Sequence, residues 1–263
     1  MLSYQHIYHA GNMADVHKHS MLAWVLSYMT RKDKPLTYLE THAGRGLYDL
    51  SDAAAQKTGE ASKGIALAKD WFAPDHPYSL ALDRLRTKHG PFAYPGSPVI
   101  AAECLRPMDK FHLSELHPQE FAALQGNMSP YGGVMKRRDG WEMALSVCPP
   151  DPRRGLLLID PSFEVKTDYQ TLPTTIAKIH RKWAVGVIML WYPILTGDPH
   201  KPMIGALKSA IPDATIHEVA FPPAREGHRM TGSGLFVVNA PYGFDAEAAC
   251  ISQLFQDHNS DLM

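Results

Sequence analysis

The amino-acid sequence predicts an α/β fold in which helices cover both faces of a mostly parallel, doubly wound sheet. Short apolar runs typical of buried strands alternate with longer segments of helical periodicity. The first predicted strand ends in a glycine turn, and three later strands each end on an acid. Open sheets of this kind bind their ligands at the carboxyl ends of the strands, so these residues predict a shared crevice there.

The composition indicates one large globular domain. The 263 residues are 45% hydrophobic with a formal net charge of −1, which argues against a protein that coats nucleic acid non-specifically. The three cysteines, Cys104, Cys148 and Cys250, are scattered, so we expect reduced thiols and no disulfide framework. No apolar run approaches the length of a membrane span. We expect a cytoplasmic monomer with no membrane association and no bound metal.

The first elements are a helix, a strand and a glycine turn. Apolar residues recur at helical spacing over 14–30, and Leu36–Thr41 is predicted to be a strand. His42–Gly46 follows at the carboxyl end of that strand, where glycine lets the backbone approach a ligand closely. We predict that 1–46 and 95–263 form the main domain and that 47–94 is a helical insertion subdomain, with helices over 59–72 and 79–89. This subdomain is a candidate for the substrate side of the protein. Alternatively, 47–94 has a purely structural role.

After Tyr94 the alternation of helices and strands resumes. The predicted helices cover 98–105, 118–127, 141–146, 170–182, 200–210 and 245–257. The predicted strands cover 110–114, 134–137, 155–159, 184–190, 214–220 and 235–239.

Three acids follow successive strands after the glycine turn: Glu115, Asp139 and Asp160. In a doubly wound sheet their carboxylates line one crevice and can accept hydrogen bonds from ribose hydroxyls and an adenine amine. This order predicts an adenosine-bearing cofactor above the turn at Gly44–Gly46. Asp139 also fits a helix N-cap, because Gly140 and Trp141 begin a predicted helix.

The chain has neither a phosphate-binding loop nor the third glycine of a dinucleotide fingerprint. S-adenosylmethionine (AdoMet) carries no phosphate and needs neither motif. The tetrad Asp160-Pro161-Ser162-Phe163 adds a carboxylate and a Pro161 carbonyl that can accept both N–H groups of an adenine amine. Phe163 offers a ring on which the base can stack, and a base within a duplex would first have to be flipped out. The residues therefore predict an AdoMet-dependent amino-methyltransferase.

The chain resembles the RlmJ family of 23S rRNA adenine-N6 methyltransferases along nearly its whole length. The matching stretches are HAGNMADVHKH (9–19), YLETHAGRGLY (38–48), YPGSP (94–98), SELHP (114–118), RDGW (138–141), RGLLLIDPSFEVKTDY (154–169), LWYP (190–193) and MTGSGLFVVNAPY (230–242). The resemblance implies a Rossmann-like AdoMet-dependent methyltransferase fold with a small inserted helical subdomain. It also implies methylation of one adenine of 23S rRNA, at position 2030 in the usual numbering, before ribosome assembly is complete.

The resemblance also implies roles for particular residues. The implied cofactor contacts are His19, His42, Gly44, Ser97, Glu115, Asp139, Gly140 and Asp160. The implied substrate contacts are Tyr4, Lys18 and Phe163, and the implied catalytic residues are Asp160, Pro161 and Phe163.

One departure from the family lies inside the tetrad, which is usually Asp-Pro-Pro-Tyr. Phe163 keeps the stacking ring and loses a hydroxyl, whereas Ser162 removes the backbone restriction of a second proline. Two alternatives therefore remain open: a catalytically weakened relative that binds AdoMet or nucleic acid, and the same chemistry on DNA adenine. A second tetrad, Asn239-Ala240-Pro241-Tyr242, resembles the same motif but follows all other predicted strands.

Overall fold

A computed structural model describes residues 5–164, 167–225 and 227–261, and nine strands lie within them. The strands are β1 (Thr37–Glu40), β2 (Leu47–Asp49), β3 (Ala93–Pro95), β4 (Lys110–Ser114), β5 (Val134–Lys136), β6 (Gly155–Ile159), β7 (Val187–Leu195), β8 (Thr215–Ala220) and β9 (Met230–Val238). Seven of them form one sheet in the order β5-β4-β1-β6-β7-β9-β8, and β2 pairs with β3 in a small antiparallel ladder.

The main sheet is parallel from β5 through β7, and β9 runs antiparallel to both of its neighbours. The strand order reverses at β1, where β4 pairs on one side and β6 on the other. The carboxyl ends of β1, β4, β5 and β6 therefore meet at one edge. This arrangement confirms the predicted doubly wound, mostly parallel sheet.

Nine α-helices within the described residues connect or cover these strands. They are α1 (Met13–Thr30), α2 (Ala53–Thr58), α3 (Pro77–His89), α4 (Ser97–Cys104), α5 (Pro118–Met128), α6 (Gly140–Val147), α7 (Asp168–Lys182), α8 (His200–Ala210) and α9 (Phe244–Asp261). The helix α1 begins after Asn12 because the Asn12 side chain accepts a hydrogen bond from the Asp15 amide. None of the helices described is both long and apolar enough to cross a bilayer.

The central strands are buried on both faces, which explains their continuous apolar sequences. Leu156 and Leu158 of β6 join a core packed against α1, α3, α4 and α9, whereas Leu157 and Ile159 join a second core beneath α6, α7 and α8. Successive side chains of a strand point to opposite faces, so β6 contributes to both cores.

The segment between Leu47 and Pro95 differs from the prediction. The predicted helix over 59–72 is wrong: α2 ends at Thr58, Gly59 follows in a left-handed conformation, and two short 3₁₀ turns lie at Ala61–Lys63 and Ala68–Asp70. The Ile65 amide donates to the carbonyl of Gly11, whereas in a helix it would donate to the carbonyl four residues before it. The backbone here binds the amino-terminal segment, which no local pattern indicates. The division into a main domain and an insertion at 47–94 stays a prediction.

The strands β7 and β9 are longer than predicted, but β7 begins at Val187 and not at the predicted Ala184. The strand β7 continues through Trp191 and Pro193 to Leu195, and β9 begins at Met230. Their pairing extends from Ile188↔Val238 to Leu195↔Met230. Trp191 therefore lies within a strand and is held by the sheet.

Candidate functional site

A cavity of about 790 Å³ opens at the carboxyl edge of the sheet. It is bounded by the segments that follow β1, β4, β5 and β6 and by the first turns of α1. The structure brings together eleven residues that the sequence singled out: Lys18, His19, His42, Gly44, Ser97, Glu115, Asp139, Gly140, Asp160, Pro161 and Phe163. Tyr4, a predicted substrate contact, lies outside the described residues.

Asp160 and Lys18 form an ion pair in this cavity. Lys18 Nζ lies 2.6 Å from Asp160 Oδ2 and 3.1 Å from Asp15 Oδ1. Burial would lower the pKa of Lys18, but the two carboxylates outweigh it and hold the pKa above its usual value. The Lys18 ammonium is therefore charged throughout the physiological pH range, although it is almost fully buried.

Asp15 connects the polar residues of α1, and sequence reasoning missed it. Its carboxylate accepts from the Gly11 amide, contacts His6 at 2.9 Å and lies 3.6 Å from His19 Nε2. Asp15, Lys18 and His19 are spaced i, i+3, i+4, so they share one face of the helix. That spacing was visible in the sequence and could have identified Asp15.

His19 is neutral at the cavity wall. Its Nδ1 lies 2.9 Å from the Tyr94 hydroxyl. Burial lowers the pKa of His19 to about 3, although Asp15 opposes the shift. His19 can therefore offer an uncharged ring to a ligand, and its orientation is set by Tyr94.

The glycine turn is tied to the end of β4. The Gly44 amide donates to Glu115 Oε2 at 2.8 Å, and the His117 amide donates to Glu115 Oε1 at 2.7 Å. Gly44 has a φ of +59°, a conformation that favours glycine. Burial raises the pKa of Glu115, while these backbone hydrogen bonds partly oppose the shift. The turn and Glu115 thus form one rigid unit below the cavity.

His42, in the same turn, is also neutral. Burial lowers its pKa to about 4. The ring contacts Thr41 Oγ1 at 2.7 Å through Nδ1 and meets Trp141 edge-on at 5.3 Å. Its place between β1 and α6 makes it part of the wall between the glycine turn and Asp139.

Asp139 caps α6, as the alternative interpretation predicted. Its Oδ1 accepts from the amides of Trp141 and Glu142 at 2.8 and 3.0 Å, and Oδ2 takes no part in the cap. Asp139 also lines the cavity, so capping and ligand contact are compatible. Gly140 is packed tightly, because an added Cβ would lie 2.2 Å from the Thr41 carbonyl oxygen.

A buried carboxyl below the cavity was not identified from the sequence. Glu40, the last residue of β1, accepts hydrogen bonds from Tyr38 at 2.8 Å and from Ser97. Burial raises its pKa to about 8, against the lowering effect of Ser97 and Tyr38. Ser97 lines the cavity while its hydroxyl points to Glu40. The position of Glu40 at a strand end was a signal that could have identified it.

The predicted catalytic tetrad turns sharply after β6. Phe163 has a φ of +55°, which is uncommon for an aromatic residue and is associated with functional sites. Its ring is buried, with ring centroids 4.8 Å from Tyr169 and 6.1 Å from Trp191. Ser162 is half-buried beside it and lines the cavity. Trp191, outside the strand predicted from sequence, is a further wall residue that sequence reasoning missed.

The second tetrad, Asn239–Tyr242, lies at the amino-terminal ends of the parallel strands, away from the cavity. Asn239 follows β9, and its side-chain amide donates to the carbonyls of Ala184 and Gly186 just before β7. It is therefore remote from the cavity. Across the described ranges, no group of three or more His, Cys, Asp or Glu side chains is arranged to hold a metal ion.

The side chains around the cavity fit a cofactor that has hydroxyl and amine donors but no phosphate. Carboxylates follow β4, β5 and β6, and Glu115 and Asp139 are held by backbone amides. The amide of Gly44, which a phosphate would require, already donates to Glu115. The strand order reverses at β1, and β9 is antiparallel within an otherwise mostly parallel sheet. Together with this cavity, these features define a Rossmann-like methyltransferase.

The chain belongs to a family of ribosomal RNA methyltransferases. Residues 33–259 match the family model described as "Ribosomal RNA large subunit methyltransferase D, RlmJ". This match confirms the resemblance found from the sequence. A methyltransferase of this family implies AdoMet as its cofactor, as predicted.

Individual relatives agree with the family match. Over 254 residues the chain is 39% identical to ribosomal RNA large subunit methyltransferase J of Escherichia coli (strain K12), covering 94% of this chain and 90% of that protein. The protein of the same name from Haemophilus influenzae is 36% identical over 255 residues, with the same coverage. The crystal structure of protein LPL1258 from Legionella pneumophila superposes with a TM-score of 0.85 at 32% identity, covering 95% of this chain and 94% of that one.

Proposed function

We propose that this protein transfers a methyl group from AdoMet to N6 of one adenine in 23S rRNA, at position 2030 in the usual numbering. The observation that carries this proposal is the position of Asp160. It ends the buried strand β6, lines the same cavity as Glu115 and Asp139, and is followed by Pro161 and Phe163. When bound, AdoMet supplies an electrophilic methyl group.

Asp160 would accept a hydrogen bond from the adenine amine. Lys18 occupies its Oδ2, and Oδ1 would accept from the substrate. The Pro161 carbonyl would accept the second N–H of the amine. Both acceptors favour a tetrahedral nitrogen, whose lone pair is no longer delocalised into the ring. The negative carboxylate also stabilises the positive charge that develops on the amine as it is alkylated.

Phe163 and Trp191 would fix the plane of the base. Stacking on an aromatic ring contributes about 1–3 kcal/mol per base and does not depend on which base is bound. Positioning the amine in line with the methyl group contributes more, because it removes the entropy cost of bringing two reactants together. The target adenine would be flipped out of its stack to enter the cavity.

The remaining wall residues would hold the cofactor. Glu115 and Asp139 follow neighbouring strands, and each has oxygen lone pairs available for hydroxyl or amine donors. His19, His42 and Ser97 offer neutral polar surface around them. Gly44 and Gly140 would contribute backbone surface to the cofactor site, since both line the cavity. These roles agree with what the RlmJ resemblance implies for the same positions.

The RNA would approach over basic side chains at the same edge of the sheet. Lys136 and Arg137 are exposed at the end of β5, and Arg229 lines the cavity itself. Such residues contact phosphates without reading sequence. We propose that a monomer acts on 23S rRNA before ribosome assembly is complete, with the 47–94 segment on the substrate side.

The test is transfer of a labelled methyl group from AdoMet to protein-free 23S rRNA, assembled ribosomal subunits and duplex DNA. We expect a single N6-methyladenine in the protein-free rRNA, located by mass spectrometry of nuclease fragments. Transfer to DNA alone would show the same chemistry on another substrate. AdoMet binding without transfer to any of the three would make the protein a catalytically inactive relative, and would refute the proposal.

A further inference from the structure

A continuous chain of hydrogen bonds leads from the cavity wall into the core behind it. The Trp191 indole Nε1–H donates to Ser233 Oγ at 2.9 Å. Ser233 Oγ lies 2.8 Å from His17 Nδ1, and His17 Nε2 lies 3.0 Å from His217 Nδ1. His217 Nε2 lies 2.9 Å from Ser252 Oγ.

These polar groups are buried at the junction of five elements. His17 and Ser233 are 0% exposed and His217 is 7% exposed, whereas Ser252 is half-buried on α9. The chain joins β7, β9, α1, β8 and α9 in that order. A buried polar group without a partner destabilises the folded state. These hydrogen bonds therefore stabilise the fold only if every group in them has a partner.

The indole can only donate, so Ser233 Oγ accepts from Trp191. Within the described residues, His17 Nδ1 is the one acceptor in hydrogen-bond distance of the buried Ser233 hydroxyl, so the arrangement that satisfies its proton has Ser233 donating to His17. His17 must then carry its proton on Nε2 and donate to Nδ1 of His217. The same reasoning places the His217 proton on Nε2, directed to Ser252. Both imidazoles are therefore neutral Nε2–H tautomers.

Electrostatics agrees with two neutral rings. Burial lowers the pKa of His17 well below its usual value, and His217 lowers it further. Burial also lowers the pKa of His217, against the opposing effect of the Ala248 carbonyl. A proton added to His17 would point an N–H at Ser233 and leave the Ser233 hydroxyl without an acceptor.

The end of the chain that reaches the site is Trp191. Its ring centroid lies 5.3 Å from Lys18 Nζ, and the Trp191 and Phe163 rings meet in a T-shaped contact with centroids 6.1 Å apart. Lys18 in turn holds Asp160. The orientation of one indole therefore affects both the ion pair and the ring on which the base would stack.

We propose that Ser233, His17 and His217 are positioning residues that lock the Trp191 indole against the methyl-transfer site. This inference rests on the proposed function for its catalytic consequence. None of the three touches the cavity, and each acts through Trp191. The hydroxyl of Ser233 is the junction, because it alone bonds both the indole and an imidazole.

The first test examines the hydrogen bonds directly and requires no measurement of methyl transfer. Nitrogen-15 NMR of the histidine rings should show His17 and His217 as neutral Nε2–H tautomers at pH 7. The Trp191 indole proton should exchange slowly with water, and faster in Ser233→Ala. A proton on Nδ1 of either ring, or an indole proton that exchanges equally fast in both proteins, would refute the arrangement. These results stand even if the protein methylates another substrate.

The second test uses kinetics. Ser233→Ala should lower kcat/KM for RNA about tenfold, the loss expected from one misplaced hydrogen-bonded side chain, with AdoMet affinity unchanged. Ser20→Ala removes a different fully buried hydroxyl, on α1 and outside the hydrogen-bond chain, and should leave turnover unchanged. In a Trp191→Phe background, Ser233→Ala should cost nothing further, because the indole N–H is already gone.

Equal losses from Ser233→Ala in both backgrounds would show that the serine acts by another route, and would overturn the positioning role. So would full activity of Ser233→Ala with a mobile indole. If the wild-type protein transfers no methyl group to RNA, the proposed function is refuted. The tautomer measurement still shows whether the hydrogen bonds from Trp191 to Ser252 are arranged as inferred.

Discussion

Replacing Glu40 with glutamine should stabilise the protein at pH 7 and have little effect at pH 4.5. Glu40 is fully buried at the end of β1, where Tyr38 and Ser97 bond its two oxygens. A glutamine amide keeps both contacts, because each hydroxyl can donate or accept. The substitution therefore removes the ionisation of this side chain and little else.

The magnitude follows from the shift in pKa. Burial raises the pKa of Glu40 from 4.5 to about 8, so the folded state holds a proton that the unfolded state releases between these values. A raised folded-state pKa means that the stabilisation is complete below pH 4.5 and is lost as pH rises towards 8. At about 1.4 kcal/mol per pH unit, roughly 3 kcal/mol is lost between pH 4.5 and pH 7.

Urea unfolding at pH 4.5 and pH 7, followed by circular dichroism, measures this difference. The free energy of unfolding of Glu40→Gln minus that of the wild type should grow by about 3 kcal/mol over this range. The exposed Glu142→Gln is the matched control and should show almost no pH-dependent gain. An equal gain at both pH values, or a loss at pH 7, would mean that Glu40 is ionised in the folded protein.

Three further variants probe the site. Asp160→Asn should reduce methyl transfer at least a hundredfold while AdoMet affinity, measured by calorimetry, changes only modestly; wild-type turnover would exclude Asp160 from the mechanism. Ser162→Pro should hold or raise the rate in the same assay, and a large loss would show that the serine has its own role. Gly140→Ala should lower both AdoMet affinity and Tm, because its Cβ meets the Thr41 carbonyl at 2.2 Å. Gly205→Ala, on the exposed face of α8 with nothing within 4 Å, should instead stabilise by about 0.5–1 kcal/mol; equal Tm values for the two variants would contradict this.

The sequence predicted the central strands and their terminal acids well. The strand β6 has the predicted bounds, Gly155–Ile159, because a buried parallel strand reads as one apolar run. Glu115, Asp139 and Asp160 line one cavity because parallel strands end at the same edge. The prediction succeeded where local pattern and sheet geometry determine the structure.

The parts that were missed depend on contacts between distant segments. Gly64 packs so tightly that an added Cβ would lie 2.0 Å from the Gly11 carbonyl oxygen, and this contact replaces a helix with short turns. Glu40 and Asp15 take their importance from burial and from partners elsewhere in the fold. Trp191 gains its place from pairing with Leu235 in β9. Asp15 and Glu40 each had a local signal in helical spacing or strand position, but no window of neighbouring residues contains the distant partners of Gly64 and Trp191.

The hydrogen bond between His17 and Ser233 has a consequence for how the protein is made. The two residues are 216 positions apart, and Lys18 and Asp160 are 142 apart. During synthesis α1 leaves the ribosome first and must wait for β6 and then β9 before its buried polar face has partners. Contacts of such long range slow folding. The ion pair between Lys18 and Asp160 can therefore form only after β6 has been made. Nascent chains that stop short of β9 would expose a helix whose Asp15, His17 and Lys18 side chains are buried in the complete fold.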